Sequence, residues 1–366
     1  MGQGSALVPH TFNQKKCELK VARYVIVDEV SFRVVEGKGF VELLHELQPR
    51  FRIPDRKKVA SMVYDIFLVE KAKIQSVIGN QRISITTDTW TSIQNINYMV
   101  VTAHFLDSDW KLHKRIINFT KITSHHGEEI GKMVEVCLRD WGIDKVFSIV
   151  VDNASSNDTA IDYLKRRMKS ENSLLFEGKY LHLRCVCLII NLIVKDGLKE
   201  LNVSIKAIRN AVVFIHSSPS RLNKFREFVI LAKFSSTSTV PMDVKTRWNA
   251  TYKMLEVALK YRRVFERMTE EWLRFMNYFS EKDDKGKERI GPPNGDDWEI
   301  SKAFVHFLKK FYDATLELSA SKSPASQLLY QTMIALQVEI DRKRHDDSNP
   351  ILKEVACAMK LKFDKY

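Results

Sequence analysis

Cysteine is scarce and scattered in this 366-residue chain: Cys17, Cys137, Cys185, Cys187 and Cys357 form an odd set without regular spacing. That excludes a disulfide framework and fits a reducing compartment. The first hundred residues hold Cys17 alone, so no two-Cys, two-His finger can be assembled there, because such a finger needs a cysteine pair at ligand spacing. No zinc is expected. Cys185 and Cys187 lie too close together on one apolar segment to chelate well, and packing explains them better. The chain also lacks a secretory signal and any apolar run near the ~20 residues that span a bilayer, so no membrane partner is expected. Its Met-Gly start carries Ala6 where a myristoylation pattern requires Ser or Thr, which argues against a lipid anchor.

What the chain does contain is apolar material and positive charge. Its composition is 45% hydrophobic and 10% aromatic, enough for a sizeable core divided into two or three substructures. Fifty-eight Lys and Arg oppose 45 Asp and Glu, a formal net charge of +13 that favours a polyanionic partner, with nucleic acid first. The charge is dispersed, with only short clusters at Arg56-Lys57-Lys58, Lys165-Arg166-Arg167 and Arg342-Lys343-Arg344. Such triplets suit nuclear import and are also common on soluble surfaces.

The patterning changes along the chain. Residues 1–16 read as a disordered leader. Residues 17–80 read as a small helical domain, with Phe40, Leu43, Leu44 and Leu47 on one helical face and a second helix over 55–79. Strands follow at Ile83 to Thr87, Tyr98 to Leu106 and Leu112 to Thr120, joined by short polar turns as an antiparallel meander. A helix from Gly127 to Trp141 closes at Gly142, a strand runs from Val146 to Val151, and a further helix spans about Asp158 to Lys169. The order β-β-β-α-β-α is that of an α/β ribonuclease-H-like core, assigned to 81–195. After a short strand, Tyr180 to Arg184, and an apolar helix, the rest is expected to be an all-α region over 196–366. Its helices are Ile205 to Ser217, Ser220 to Val229, Trp248 to Phe279, Ser301 to Ser319 and Pro324 to Arg344, with a charged, Gly- and Pro-rich loop over 281–297.

Two carboxylates stand out in that order. Asp88 follows Ile-Ser-Ile-Thr-Thr and Asp152 follows Phe-Ser-Ile-Val-Val, each closing a β-branched run. Parallel strands ending side by side would let the pair share Mg²⁺ or Mn²⁺, the arrangement that clamps the attacking and leaving oxygens of a phosphodiester. An Asp at a strand end is also what turn and cap chemistry favours, so neither residue alone is diagnostic.

Four ordered segments carry a family likeness: Thr-Thr-Asp-Thr-Trp-Thr-Ser (86–92), Val-Asp-Asn-Ala-Ser-Ser-Asn-Asp (151–158), His-Leu-Arg-Cys (182–185) with Ile-Asn-Leu-Ile-Val (190–194), and Asp-Val-Lys-Thr-Arg-Trp-Asn-Ala-Thr-Tyr (243–252). Together they resemble the plant hobo/Activator (hAT) transposase superfamily, from about Cys17 to the C-terminus. The resemblance implies a ribonuclease-H-like core interrupted by a large helical insertion, with three acidic residues holding metal for DNA cleavage and joining. Asp88 and Asp152 match the first two. The third, a Glu, belongs to a C-terminal segment that also serves homodimerisation in full-length relatives, and the sequence ends at Lys-Phe-Asp-Lys-Tyr (362–366) just where that segment should approach. The pair is therefore expected to bind metal weakly and to be vestigial. Glu317 and Glu339 are available acids, but no pattern places either at the pair. Against the family pattern the finger is missing, and Leu188 stands where a His usually follows the motif cysteine.

The resemblance also implies that Trp248 stacks on an extruded base, beside Lys245 and Arg247; the competing reading is a core anchor at the start of an insertion helix. Trp90 reads as packing beside the strand end, and His125 and His126 as a helix cap or solvated turn. Further candidate DNA contacts, chiefly to phosphate, are Lys165, Arg166 and Arg167 after Asp152, and Arg221, Lys224 and Arg226 after Pro219. Three functions compete: a domesticated, catalytically inert nuclear DNA-binding protein; a truncated form of an active metal-dependent DNA transposase; and a protein-interaction scaffold without DNA binding.

Overall fold

A computed structural model describes residues 11–79, 81–234, 238–244, 246–282, 286–319, 326–346 and 348–366. The N-terminal unit consists of α1 (Gln14–Val27), a short 3-10 turn (Phe32–Glu36), α2 (Lys38–Leu47) and α3 (Arg56–Ile78). Asn13 caps α1 by accepting from the Lys16 N–H, and Asp55 caps α3 by accepting from the Lys58 N–H, each meeting an otherwise orphaned donor. Helix α1 begins inside the stretch expected to be a leader over 1–16. The reason is tertiary: the Gln14 side chain donates to the Arg52 carbonyl at 2.7 Å and accepts from the Arg52 N–H at 3.1 Å. Residues 1–10 lie outside the described residues. This unit has a small core of Val21, Val25, Val35, Phe51 and Val59.

The meander follows as β1 (Ile83–Thr91), β2 (Asn97–Leu106) and β3 (Leu112–Lys121), then α4 (Gly127–Trp141), β4 (Val146–Val151), α5 (Ser155–Ser170) and β5 (His182–Arg184). Strand order is β3-β2-β1-β4-β5, antiparallel across β3-β2-β1 and parallel across β1-β4-β5. This is the expected ribonuclease-H-like arrangement. Alternation explains it: Ile83 and Ile85 of β1 are buried with Met99, Val101, Ala103 and Phe105 of β2, under Ile130, Val134 and Leu138 of α4. The intervening positions Ser84, Thr86 and Asp88 belong to the other face. β1 runs past its expected end at Thr87, so Asp88 sits within the strand, paired with Val100.

Helices α4 and α5 approach closely at their N-termini. A Cβ on Gly127 would lie 2.1 Å from the Ser156 carbonyl oxygen, so only glycine fits there. At the other end of α4, Gly142 adopts φ +67° and closes the helix by donating to the Arg139 and Leu138 carbonyls, as the sequence indicated.

Beyond β5 the described chain is helical: α6 (Val186–Glu200), α7 (Asn202–His216), α8 (Pro219–Leu231), α9 (Trp248–Lys260), α10 (Arg262–Glu271), α11 (Leu273–Ser280), α12 (Gly295–Leu318), α13 (Ser326–Arg344) and α14 (Pro350–Phe363). The single helix expected over Trp248 to Phe279 is three. A straight helix of that length would extend ~48 Å at 1.5 Å per residue and could not keep one face on a compact core. Breaks at Tyr261 and Trp272 turn Val264, Phe265, Met268, Phe275 and Phe279 all inward. Helix α12 starts inside the expected 281–297 loop, because Asn294 and Asp297 form a capping box. Helix α14 was not anticipated as an element. Helix α6, grouped by sequence with the 81–195 core, contributes Ile189, Ile190, Ile193 and Val194 to the helical body's core, so the packing boundary falls near Cys185. Among the described residues no helix is long and apolar enough to cross a membrane.

Replacing Gly127 with Ala forces α4 from α5 and is expected to cost ~1–3 kcal/mol, as overpacking does. Chemical denaturation followed by circular dichroism checks this; an unchanged midpoint would refute the close approach.

Candidate metal and nucleic-acid site

The parallel register of β1 and β4 places the two aspartates. Ile85 pairs with Ile149 and Thr86 with Val150; the same offset carried two places further sets Asp88 opposite Asp152. Facing is settled upstream, where Ser148 Oγ donates to Ser84 Oγ at 3.0 Å across the same two strands. Strand side chains alternate with period two, so Asp88 and Asp152 emerge on the face that carries those serines. Asp88 is exposed and Asp152 half-buried.

Each carboxylate is held by one oxygen. Asp88 Oδ1 accepts from the Thr89 N–H at 2.9 Å. Asp152 Oδ1 accepts from the Ala154 N–H at 2.8 Å and from Asn157 Nδ2 at 2.5 Å. Among the described residues no hydrogen bond reaches either Oδ2 atom, and a hard cation takes oxygen ligands of this kind. Two carboxylates fit a divalent ion in part only: among the described residues no group of three or more His, Cys, Asp and Glu could hold a metal. Glu339 is far from that role, being 3% exposed inside the helical body and paired with Lys310 and Arg342 at 2.5 Å each. Glu317 lies exposed on α12.

Strand β5 adds groups that sequence reasoning did not assign to the site. Arg184 pairs with Val151, the residue before Asp152, and its Nη2 lies 3.7 Å from Asp158. Its guanidinium also sits 5.8 Å from the centre of the Tyr366 ring, so the end of α14 reaches this corner of the sheet. His182 lies 3.9 Å from the same Asp158, and burial holds its imidazole below the ordinary value while Asp158 opposes that shift. The signal was present in His-Leu-Arg-Cys, but only the β4-β5 register reveals which Asp those side chains meet. The side chain of Asn153, next to Asp152, has buried amide atoms with no hydrogen-bond partner.

Trp90 lies beyond Asp88 on the same strand face. It stacks with Tyr98 at 5.8 Å and contacts Phe119 at 5.6 Å, with Tyr98 and Phe119 5.5 Å apart, while remaining 39% exposed. On the opposite side of β1, His125 bonds Thr89, Thr91 and Asn97 side chains at 3.0–3.2 Å, which ties the start of α4 to the strand end.

Trp248 is buried. It is 2% exposed and packs edge-on to Tyr252 and Tyr312, the core-anchor alternative rather than a base-stacking surface. The segment before it is pinned: Arg209 forks onto Asp243 at 2.7–3.0 Å, and Thr251 Oγ1 donates to the same carboxylate at 2.8 Å. Arg247 is exposed at the start of α9, and Lys245 lies outside the described residues.

The other basic candidates differ in availability. On α5, Arg166 is exposed and Lys165 half-exposed, but Arg167 is bound to Glu135 at 2.9 Å. On α8, Lys224 pairs with Glu227 at 2.7 Å, Arg226 bonds Asn223 at 3.2 Å, and Arg221 lies over the Phe214 ring at 4.3 Å.

Residues 86–180 match the ZBED1 RNase-like domain and residues 183–291 the ZBED1 RNase-like helical domain, a division that falls at β5. The chain belongs to the hAT transposase-derived family. It is 31% identical over 361 residues to zinc finger BED domain-containing protein RICESLEEPER 2 of Oryza sativa subsp. japonica, covering 97% of this chain and 48% of that one. It is 31% identical over 363 residues to the putative AC transposase of Zea mays, covering 98% and 43%. DAYSLEEPER of Arabidopsis thaliana is 26% identical over 359 residues, covering 97% and 49%. The chain therefore spans about half the length of the curated relatives it matches.

Truncating Trp248 to Ala is expected to destabilise the helical body by ~3–5 kcal/mol, while Trp248→Phe leaves affinity for a DNA hairpin unchanged. Denaturation midpoints and fluorescence titration test this; a loss of DNA affinity in the Phe variant at full stability would restore a stacking role.

Proposed function

We propose that this transposase-derived chain is a nuclear DNA-binding protein that contacts duplex DNA mainly through phosphates and does not cleave it unaided. The reading rests above all on the register that sets Asp88 beside Asp152, a pair of acids that would suit a phosphodiester-handling corner. Mg²⁺ demands near-octahedral coordination, and two carboxylates leave most of that shell to water and substrate. A divalent ion bound there would polarise a phosphate oxygen. Asn157 would hold the Asp152 carboxylate in place, and Arg184 would offer a cation to a phosphate nearby. The net charge of +13 supports attraction to polyanions; Arg166, Lys224, Arg226 and Arg247 are exposed among the candidates, and Lys165 beside Arg166 is half-exposed.

A second reading is favoured by the same pair. The carboxylates are still on one face of adjacent parallel strands, as a catalytic region of an active metal-dependent transposase requires. Strand cleavage of a labelled duplex in Mn²⁺ by this chain, abolished by Asp88→Asn, would establish it and overturn the inert reading.

Binding to a random duplex, followed by fluorescence anisotropy across a salt series, is expected to weaken steeply with salt and to ignore Mn²⁺. Charge reversal of Lys165 and Arg166 together should lower affinity and flatten the logarithmic salt slope by up to ~2. The same reversal at Lys224 and Arg226 tests α8 separately. An unchanged slope removes that helix from the interface, and absence of binding at low salt leaves the scaffold reading.

A further inference from the structure

Helix α2 is amphipathic, yet none of its residues is buried. Its apolar side chains Phe40, Leu43, Leu44 and Leu47 line an open groove against α1, with Val21, Tyr24 and Phe51 as the other apolar walls and a volume of about 560 Å³. Leu43 is 58% exposed and Leu47 69% exposed. A helix of ten residues is marginal by itself and depends on packing of its apolar face. Among the described residues that face has a floor but no cover.

Charge indicates what the cover is. Among the described residues the charged side chains lining the groove are Lys16 and Lys20, both on α1, and no carboxylate lines it. Among the described residues neither lysine has an ion-pair partner within 4.0 Å. The acid on α1, Glu18, points away and is held by Lys58 at 2.6 Å, and Glu42 of α2 is engaged by Lys38 at 3.7 Å. An apolar trough with cations along one wall matches a helix whose apolar stripe is flanked by carboxylates. Apolar anchors spaced at i, i+3, i+4 and i+7 fill such a trough, and flanking acids set the orientation.

We propose that the α1–α2 groove is a docking site for an acidic amphipathic helix of a partner protein, separate from the Asp88–Asp152 corner. Leu43 and Leu47 supply the apolar contact, and Lys16 and Lys20 select for carboxylates.

The test uses the full chain and two labelled fourteen-residue helical peptides with the same leucine stripe, one carrying Glu on its flanks and one Lys. The acidic peptide is expected to bind at least tenfold more tightly than the basic one. Leu47→Glu should abolish binding of the acidic peptide. The double variant Lys16→Glu, Lys20→Glu should reverse the preference, whereas Lys165→Glu with Arg166→Glu, equal in charge change but on α5, should not. These lysines are exposed, so circular dichroism of the double variant should match the parent. Equal binding of both peptides, or an equal effect of the two double variants, would reduce the preference to net charge and overturn the proposal. So would a concentration-dependent dimer in sedimentation velocity that Leu47→Glu dissolves, since a second copy would then be the occupant.

Discussion

The pairing of β1 with β4 is the constraint on which the site depends. These strands are far apart in the chain, and their parallel register aligns two short β-branched segments so that a carboxylate from each reaches the same end of the sheet. Register in a half-buried sheet is strongly specified, because a slip of one residue would move every apolar side chain to the opposite face. Ile83, Ile85, Ile149 and Val151 are buried against the helices. The same burial that stabilises the core therefore sets Asp88 opposite Asp152. Gly127 contributes from outside the sheet, since it lets α4 and α5 meet where β4 ends.

In the helical body, the carboxylate of Asp243 has a comparable organising role. Asp243 accepts from Arg209 and Thr251, binding α7, the connecting segment and α9 together. Removing one partner of such a pair leaves an uncompensated charge, which is costly in a dry environment. The arrangement delivers Trp248 into an aromatic cluster rather than toward solvent. A family motif can thus keep its residues while the conformation assigns one of them to packing.

Legibility followed the range of the physics involved. The boundaries of α4 and β4 were readable to the residue, because an amphipathic stripe with a glycine C-cap, or a short apolar run between turn signals, is local information. Asp88 and Asp152 were readable as a pair through their position after β-branched runs. What was not readable depended on contacts distant in sequence. The breaks at Tyr261 and Trp272 follow from the curvature of the core that α9, α10 and α11 enclose. The early start of α1 rests on Gln14 meeting Arg52, and the membership of α6 in the helical body rests on what Ile190 and Ile193 touch. Arg184 and His182 were in plain view as a motif, yet their meeting with Asp158 required the β5 register.

The sequence by itself determined the order of elements in the sheet region, the basic character, the absence of a paired-cysteine finger in its first hundred residues, and the identity of the two acids. Each of these is set by composition, by periodicity, or by turn and cap chemistry acting over a few neighbouring residues. Only the tertiary structure decided which of the candidate residues act together. It brought Asp88 and Asp152 to one end of the sheet, buried Trp248, engaged Arg167 and Lys224 with carboxylates, and left α2 uncovered among the described residues. Those outcomes depend on strand register and on competition for burial among groups far apart in the chain, which no local pattern encodes.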